Sequence, residues 1–91
     1  MSYEVKYTAR FKRDYKRMQR RGKEMSKLLD VVDMLREGQV LPPQYQDHPL
    51  HGEYEGHRDC HIEPDLILIY RIDHGQLHLI CLRLGTHNDL F

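Results

Sequence analysis

The sequence predicts an α+β domain of order β-α-α-β-β-β, in which an antiparallel helical hairpin packs on one face of a mostly antiparallel four-stranded sheet. Three observations predict it. Two segments between residues 8 and 37 repeat their apolar residues at helical spacing, three runs after residue 53 alternate or continue as strands between turn residues, and a short alternating run opens the chain. The 91 residues make a single domain, 1–91, large enough to fold without disulfides.

Tyr3 to Tyr7 alternates apolar and charged side chains and reads as a half-exposed strand at one sheet edge. Thr8 is a helix cap, after which Phe11, Tyr15 and Met18 recur at helical spacing until Gly22 stops the segment. From about Lys23 to Glu37 a second helix repeats Met25, Leu28, Leu29, Val32 and Leu35, with Gly38 as its stop. Residues 38–52 hold Pro42, Pro43 and Pro49 and read as an irregular connector, long enough in so small a domain to carry function. Tyr54 to Ile62, Leu66 to Ile72 and Gln76 to Leu84 then form an antiparallel meander, with Asp73-His74-Gly75 turning the last hairpin. Alternation assigns Leu66, Leu68, Tyr70 and Ile72 to the helix-covered face, and on the last strand His78, Ile80, Leu82 and Leu84. Leu77, Leu79, Cys81 and Arg83 then face the open side with Ile67, Ile69 and Arg71, a partly apolar surface suited to a partner or ligand.

The balanced charge hides a division. Residues 1–37 hold eleven Lys and Arg against six acids, whereas residues 38–91 hold three against eight and all seven histidines. The first helix carries Lys12, Arg13, Lys16, Arg17, Arg20 and Arg21 against Asp14 alone, an arrangement whose self-repulsion an anionic partner relieves. Cys60 and Cys81 fall in predicted strands and read as buried thiols, and with no signal-peptide pattern the reading is a cytoplasmic protein. The longest apolar run, Leu66 to Tyr70, is far too short to cross a bilayer, so no membrane partner is expected.

Around Asp59-Cys60-His61-Ile62-Glu63-Pro64-Asp65 a histidine and a carboxylate flank a proline turn beside a rigid strand. His48 from the connector, where Pro49 restricts its backbone, and His87 after the last strand lie near the same end of the predicted sheet. Converging, such groups give and take protons near neutral pH, as phosphodiester cleavage in RNA requires, with Arg83 and Arg71 available to stabilise the phosphorane. A zinc-type site is the competing reading, although no His-x-x-x-His falls on a predicted helix and no Cys-x-x-Cys occurs.

Several short motifs in order, Asp47-His48-Pro49-Leu50, Gly56-His57-Arg58-Asp59, His61 through Asp65, the Leu68-Ile69-Tyr70 strand and the ending Gly85-Thr86-His87 with Leu90-Phe91, resemble the YafQ branch of the RelE/ParE superfamily of bacterial toxins. The resemblance implies a RelE-like fold and a ribosome-dependent mRNA endonuclease that needs no metal or other cofactor. It further implies a DinJ-like antitoxin as partner, with the ribosome and mRNA as targets. It places the functional positions on His48, His61, Asp65, His87 and Phe91, and gives the basic helix ribosomal RNA to contact. Leu66 departs from members that carry tryptophan after the aspartate. The superfamily also holds gyrase-inhibiting members without an acid-base cluster; they supply the alternative of a non-catalytic toxin.

Overall fold

A computed structural model describes residues 2–91. Its elements are β1 (Glu4–Tyr7), α1 (Ala9–Arg20), α2 (Ser26–Arg36), a 3-10 turn at Pro43–Tyr45, β2 (His48–Pro49), a second 3-10 turn at Gly52–Tyr54, β3 (Arg58–Glu63), β4 (Leu66–Asp73), β5 (His78–Gly85) and α3 (His87–Leu90). One sheet of order β1-β5-β4-β3-β2 holds all five strands, with β1 parallel to β5 and every other pair antiparallel. The expected α+β architecture stands, with one strand more than expected. His48–Pro49 pairs with Asp59 and Arg58 instead of following an irregular path.

Local chemistry explains most boundaries. Thr8 caps α1 through its side-chain oxygen, which accepts from Phe11 N–H at 3.0 Å, and both helices end where expected, on glycines with φ of 81° at Gly22 and 76° at Gly38. In each case the next residue's N–H reaches back to close the last turn, Lys23 to Met18 at 3.0 Å and Gln39 to Met34 at 3.0 Å. Helix α2 starts at Ser26 rather than Lys23, because the Glu24 carboxylate takes the Ser26 N–H at 3.1 Å and serves as the cap that Met25 cannot provide. Strand β3 starts at Arg58 rather than Tyr54, since Tyr54 closes a 3-10 turn and Gly56, at φ 86°, turns the chain before it extends. The last hairpin turn is His74 to Leu77, one residue longer than expected, with Gln76 N–H donating to the Asp73 carboxylate at 3.1 Å.

The main core joins Phe11 and Met18 of α1 and Leu28, Val31, Val32 and Leu35 of α2 to Cys60, Ile62, Leu66, Leu68, Tyr70, Leu79, Cys81 and Leu84 of the sheet. Strand β4 alternates as predicted. Strand β5 does not: Leu79 and Cys81 are buried under the helices, and Leu82 packs with Tyr54, Ile67, Ile69 and Leu90 on the far face. The register steps from Ile69 opposite Arg83 to Tyr70 opposite Cys81, so Leu82 is an extra residue that reverses the alternation midway. The far face is not left bare for a partner, since Tyr54 and Leu50 of the connector and Leu90 of α3 cover part of it.

Beyond Tyr7, β1 no longer covers β5, and α1 takes over that edge. The Thr8 hydroxyl donates to the Leu82 carbonyl at 2.8 Å, and the Asp14 carboxylate accepts from Leu84 N–H at 3.0 Å, Arg83 Nε at 2.7 Å and Nη2 at 3.2 Å, and Arg17 Nη2. Asp14 is 3% exposed. Removing it strands a buried guanidinium and a strand N–H, so Asp14→Ala is expected to cost about 3–5 kcal/mol of unfolding free energy. Urea denaturation measures it, and a loss no larger than that of an average surface substitution would contradict the role.

Candidate acid-base site and cationic cleft

Strand β2 is only two residues long, yet it aims His48. Its register places His48 opposite Asp59, and Asp47 just before it is tied to the sheet by Arg58 Nε at 2.6 Å and by the Tyr70 hydroxyl. The His48 Nδ1 lies 2.7 Å from the Gln46 carbonyl and 3.1 Å from Oδ1 of Asp59. The carbonyl bond makes Nδ1 the protonated nitrogen and leaves Nε2 to accept a proton from outside.

His61 is opposite Ile67, one of the far-face residues, so its ring stands on the same face as His48 with centroids 6.4 Å apart. Regular alternation along β3 produces this placement, with Cys60 and Ile62 in the core on either side of His61; the register shifts only beyond it, between His61 and Glu63, where the Pro64-Asp65 turn closes the hairpin. His87 opens α3, where its ring lies tilted against Phe91 at 5.0 Å, and Phe91 meets Tyr54 edge-on at 5.7 Å while remaining half exposed.

Beneath the histidines lies Asp59, 3% exposed, a residue for which the sequence supplied no role. Burial pushes its carboxyl above the ordinary value, and His48, His61 and His87 all act in the opposite sense. It is thus the common electrostatic neighbour of three imidazoles from three separate segments. Its Oδ1, buried and without a hydrogen bond, is directed toward the His48 ring at ion-pair distance. The sequence signal for it was available in register: only a residue opposite His48 could underlie it, and that pairing was missed along with β2.

Asp65 stands apart from this group. Its carboxylate is exposed at the turn, 3.3 Å from Lys23 Nζ. Leu66 beside it is fully buried in the core, so its side chain faces away from any ligand. Arg71 opens onto a cleft of about 800 Å³ toward the other end of β4, alongside His57 and His74, away from the histidine pair. Arg83 is 8% exposed and bonded to Asp14, with Nη1 3.5 Å from the Tyr54 hydroxyl, so it borders the Phe91 side of the site from below. Among the described residues no three His, Cys, Asp or Glu side chains are grouped closely enough to hold a metal ion. Cys60 and Cys81 are free and buried, and burial pushes both thiols up.

The basic face divides in two. Arg13, Lys16, Arg17 and Arg20 line a cleft of about 370 Å³ with Asp14 and Arg83, joined by Arg10, which the sequence reading left out. Positions 10, 13, 17 and 20 form one helical stripe, and that spacing was the available signal. Within the cleft the Arg17 Nε is buried without a partner, a donor suited to an anion. Lys12, with Lys16, borders a separate apolar groove of Tyr7, Phe11, Tyr15, Leu28, Leu29 and Val32. Arg21 is engaged elsewhere, forking onto Asp89 of α3.

The family described as "Bacterial toxin of type II toxin-antitoxin system, YafQ" matches residues 3–91. The chain is 40% identical over 89 residues to the Escherichia coli K12 protein named mRNA interferase toxin YafQ, covering 97% of this chain and 95% of that one. Its fold is similar to the crystal structure of the E. coli DinJ-YafQ toxin-antitoxin complex, with TM-score 0.89, 39% identity and coverage of 100% and 99%. It is also similar to a metal-bound toxin from Helicobacter pylori, with TM-score 0.91, 37% identity and full coverage of both chains.

The buried Asp59 has a sign that can be measured. Because its folded-state value is raised, the native protein holds that proton more tightly than the unfolded chain does, and ionising Asp59 costs stability as pH rises from its ordinary value of 3.8 through the folded value. Asp59→Asn is therefore expected to gain on the parent protein by a few degrees in Tm over that rise and to hold the gain at neutral pH. Thermal melts from pH 3 to pH 8 check it; a pH-independent difference would contradict it.

Proposed function

The chain belongs to the YafQ family of bacterial type II toxins, and from that premise we propose that the imidazoles over Asp59 cut messenger RNA by metal-independent proton transfer, on the ribosome. The protein is an mRNA interferase, an endoribonuclease toxin neutralised by an antitoxin of the DinJ kind. No helix among the described residues is long and apolar enough to cross a membrane, and a cytoplasmic place of action accords with both targets.

The observation that carries the site assignment is the pair of rings 6.4 Å apart, one with its Nδ1 committed to a carbonyl and both near a buried carboxylate. A scissile phosphodiester seated beside them presents its ribose 2′-hydroxyl to one imidazole as general base. The 2′-oxygen attacks phosphorus, the P–O5′ bond breaks, and the 5′-oxygen leaves with a proton from an imidazolium. The products are a 2′,3′-cyclic phosphate and a 5′-hydroxyl, with no net change in protons. We assign the general acid to His87, the first residue of α3, and the base to His61. His48, with Nε2 free, binds phosphate or relays a proton, and Asp59 stabilises whichever imidazole is charged. Phe91 is the stacking surface for a base beside the cut.

Asp65 enters the scheme only as a charge at the β3–β4 turn, where it pairs with Lys23. Arg83 supplies fixed positive charge. Arg71 belongs to the approach of the strand rather than to the reacting phosphate. The cleft of Arg10, Arg13, Lys16, Arg17 and Arg20 is the ribosomal RNA contact, where phosphates meet the orphan Arg17 Nε–H and the surrounding cations.

In a translating extract, His87→Ala and His61→Ala are each expected to slow cleavage by roughly 10²- to 10⁴-fold while leaving antitoxin binding intact. Chelator should leave wild-type cleavage unchanged. Chelator-sensitive cleavage would transfer the chemistry to a metal ion, and growth arrest without any cleavage would identify the gyrase-inhibiting class. Separately, Arg13→Ala with Arg20→Ala should reduce the salt slope of ribosome binding by about two. An unchanged slope would remove the cleft from the RNA contact.

A further inference from the structure

We propose that Arg21, at the end of the basic helix, is a positioning residue for the nuclease site: its fork onto Asp89 holds the C-terminal helix that presents His87 and Phe91. The proposal rests on the assignment of His87 to proton transfer and adds to it the means by which that residue is held.

Helix α3 has four residues and cannot persist on local bonds alone. Asp89 is its organising side chain. Oδ2 accepts from Thr86 N–H at 2.9 Å, from the Thr86 hydroxyl at 2.9 Å and from Arg21 Nη1 at 2.8 Å, while Oδ1 accepts from Arg21 Nη2 at 3.2 Å. The Thr86 hydroxyl oxygen in turn accepts from Asp89 N–H at 3.3 Å, completing a capping box around His87. Gly85 makes room for this arrangement, since a Cβ there would lie 2.9 Å from Asp89 Cβ. Among the described residues the Arg21 fork is the one hydrogen-bonded tether from Asp89 to another element, and its planar geometry fixes direction as well as distance.

The Arg21 guanidinium holds the Asp89 carboxyl well below the usual carboxylate range, so the pair stays charged wherever the nuclease works. Two residues further on, Lys23 makes a parallel contact with Asp65 on the β3–β4 turn at 3.3 Å. The segment that leaves the RNA-docking helix thus pairs with one acid on α3 and with another on the β3–β4 turn that follows His61. Arg21 and Asp89 side chains are 45% and 15% exposed, and an ion pair so open to water adds little to global stability. Losing it changes where His87 stands far more than whether the chain folds.

Arg21→Gln and Arg21→Lys, beside His87→Ala, test this. At saturating ribosomes Arg21→Gln is expected to lower the cleavage rate constant roughly 10- to 100-fold, the cost of a misplaced proton donor, with Tm unchanged. Arg21→Lys, which keeps the charge without the fork, should recover part of that loss. NMR order parameters of residues 87–91 should fall in Arg21→Gln whether or not RNA is cut. Full cleavage by Arg21→Gln at saturation, or undiminished order in residues 87–91, would overturn the proposal. If His87→Ala itself cleaves normally, the assignment beneath the proposal falls instead, and the order parameters still report whether Arg21 holds the helix.

Discussion

A single buried carboxylate sets the relation between the helical layer and the sheet. Strand β1 covers only the first half of β5, and the second half would otherwise present bare backbone groups at a sheet edge. Asp14 fills that gap with four accepted hydrogen bonds, one from the Leu84 backbone and three from Arg83 and Arg17. An ionised group so deeply buried persists because every donor it meets is cationic or otherwise orphaned. Everything on the docking side follows from this. The orientation of α1 along β5 aligns Arg10, Arg13, Arg17 and Arg20 over Arg83, and it carries Arg21 far enough to reach Asp89.

The far face depends on one departure from regular pairing and on one strand that keeps it. The extra residue at Leu82 brings Leu82 and Arg83 successively to the far face, so that Arg83 reaches both Asp14 and the Tyr54 hydroxyl. On β3 the pairing is regular from Arg58 to His61, which holds Asp59 and His61 on that same face while Cys60 and Ile62 fill the core. Without the Leu82 bulge, a strictly alternating β5 would turn Arg83 under the helices. Bulges beside a reactive centre re-aim side chains in this way, and here they let one sheet keep a continuous core while its far face gathers imidazoles and a guanidinium.

What the sequence disclosed and what it concealed divide along range. Thr8, Gly22 and Gly38 act through bonds within a few residues of themselves, and they were readable. The alternation of β4, buried on both faces but sorted by side, was readable for the same reason. The faces of β5 were not, because the Leu82 bulge answers to α1 and β4 rather than to its neighbours in sequence. The two-residue strand at His48 has no propensity signal, and its existence depends on Asp47 finding Tyr70 and Arg58. The role of Asp59 was hidden by that same omission. His48, His61 and His87 could be named as a group, since three histidines near predicted strand ends suffice for that. That Asp65 would be held by Lys23 rather than lie among the rings required the course of the chain after α1.

The division of charge along the chain has a mechanical meaning. Ribosomal RNA is a fixed polyanion of large area, and contact with it tolerates long, exposed cations whose positions are set only by a helix. Proton transfer tolerates no such latitude, so its groups stand on a paired strand edge, on the shoulder of a bulge and at the start of a capped helix. The two halves meet at Arg21 and Lys23, where the basic helix ends against Asp89 of α3 and Asp65 of the β3–β4 turn. On the proposed assignment such a toxin needs no separate scaffold for its active site, because the element that docks the enzyme would also complete the geometry of its chemistry.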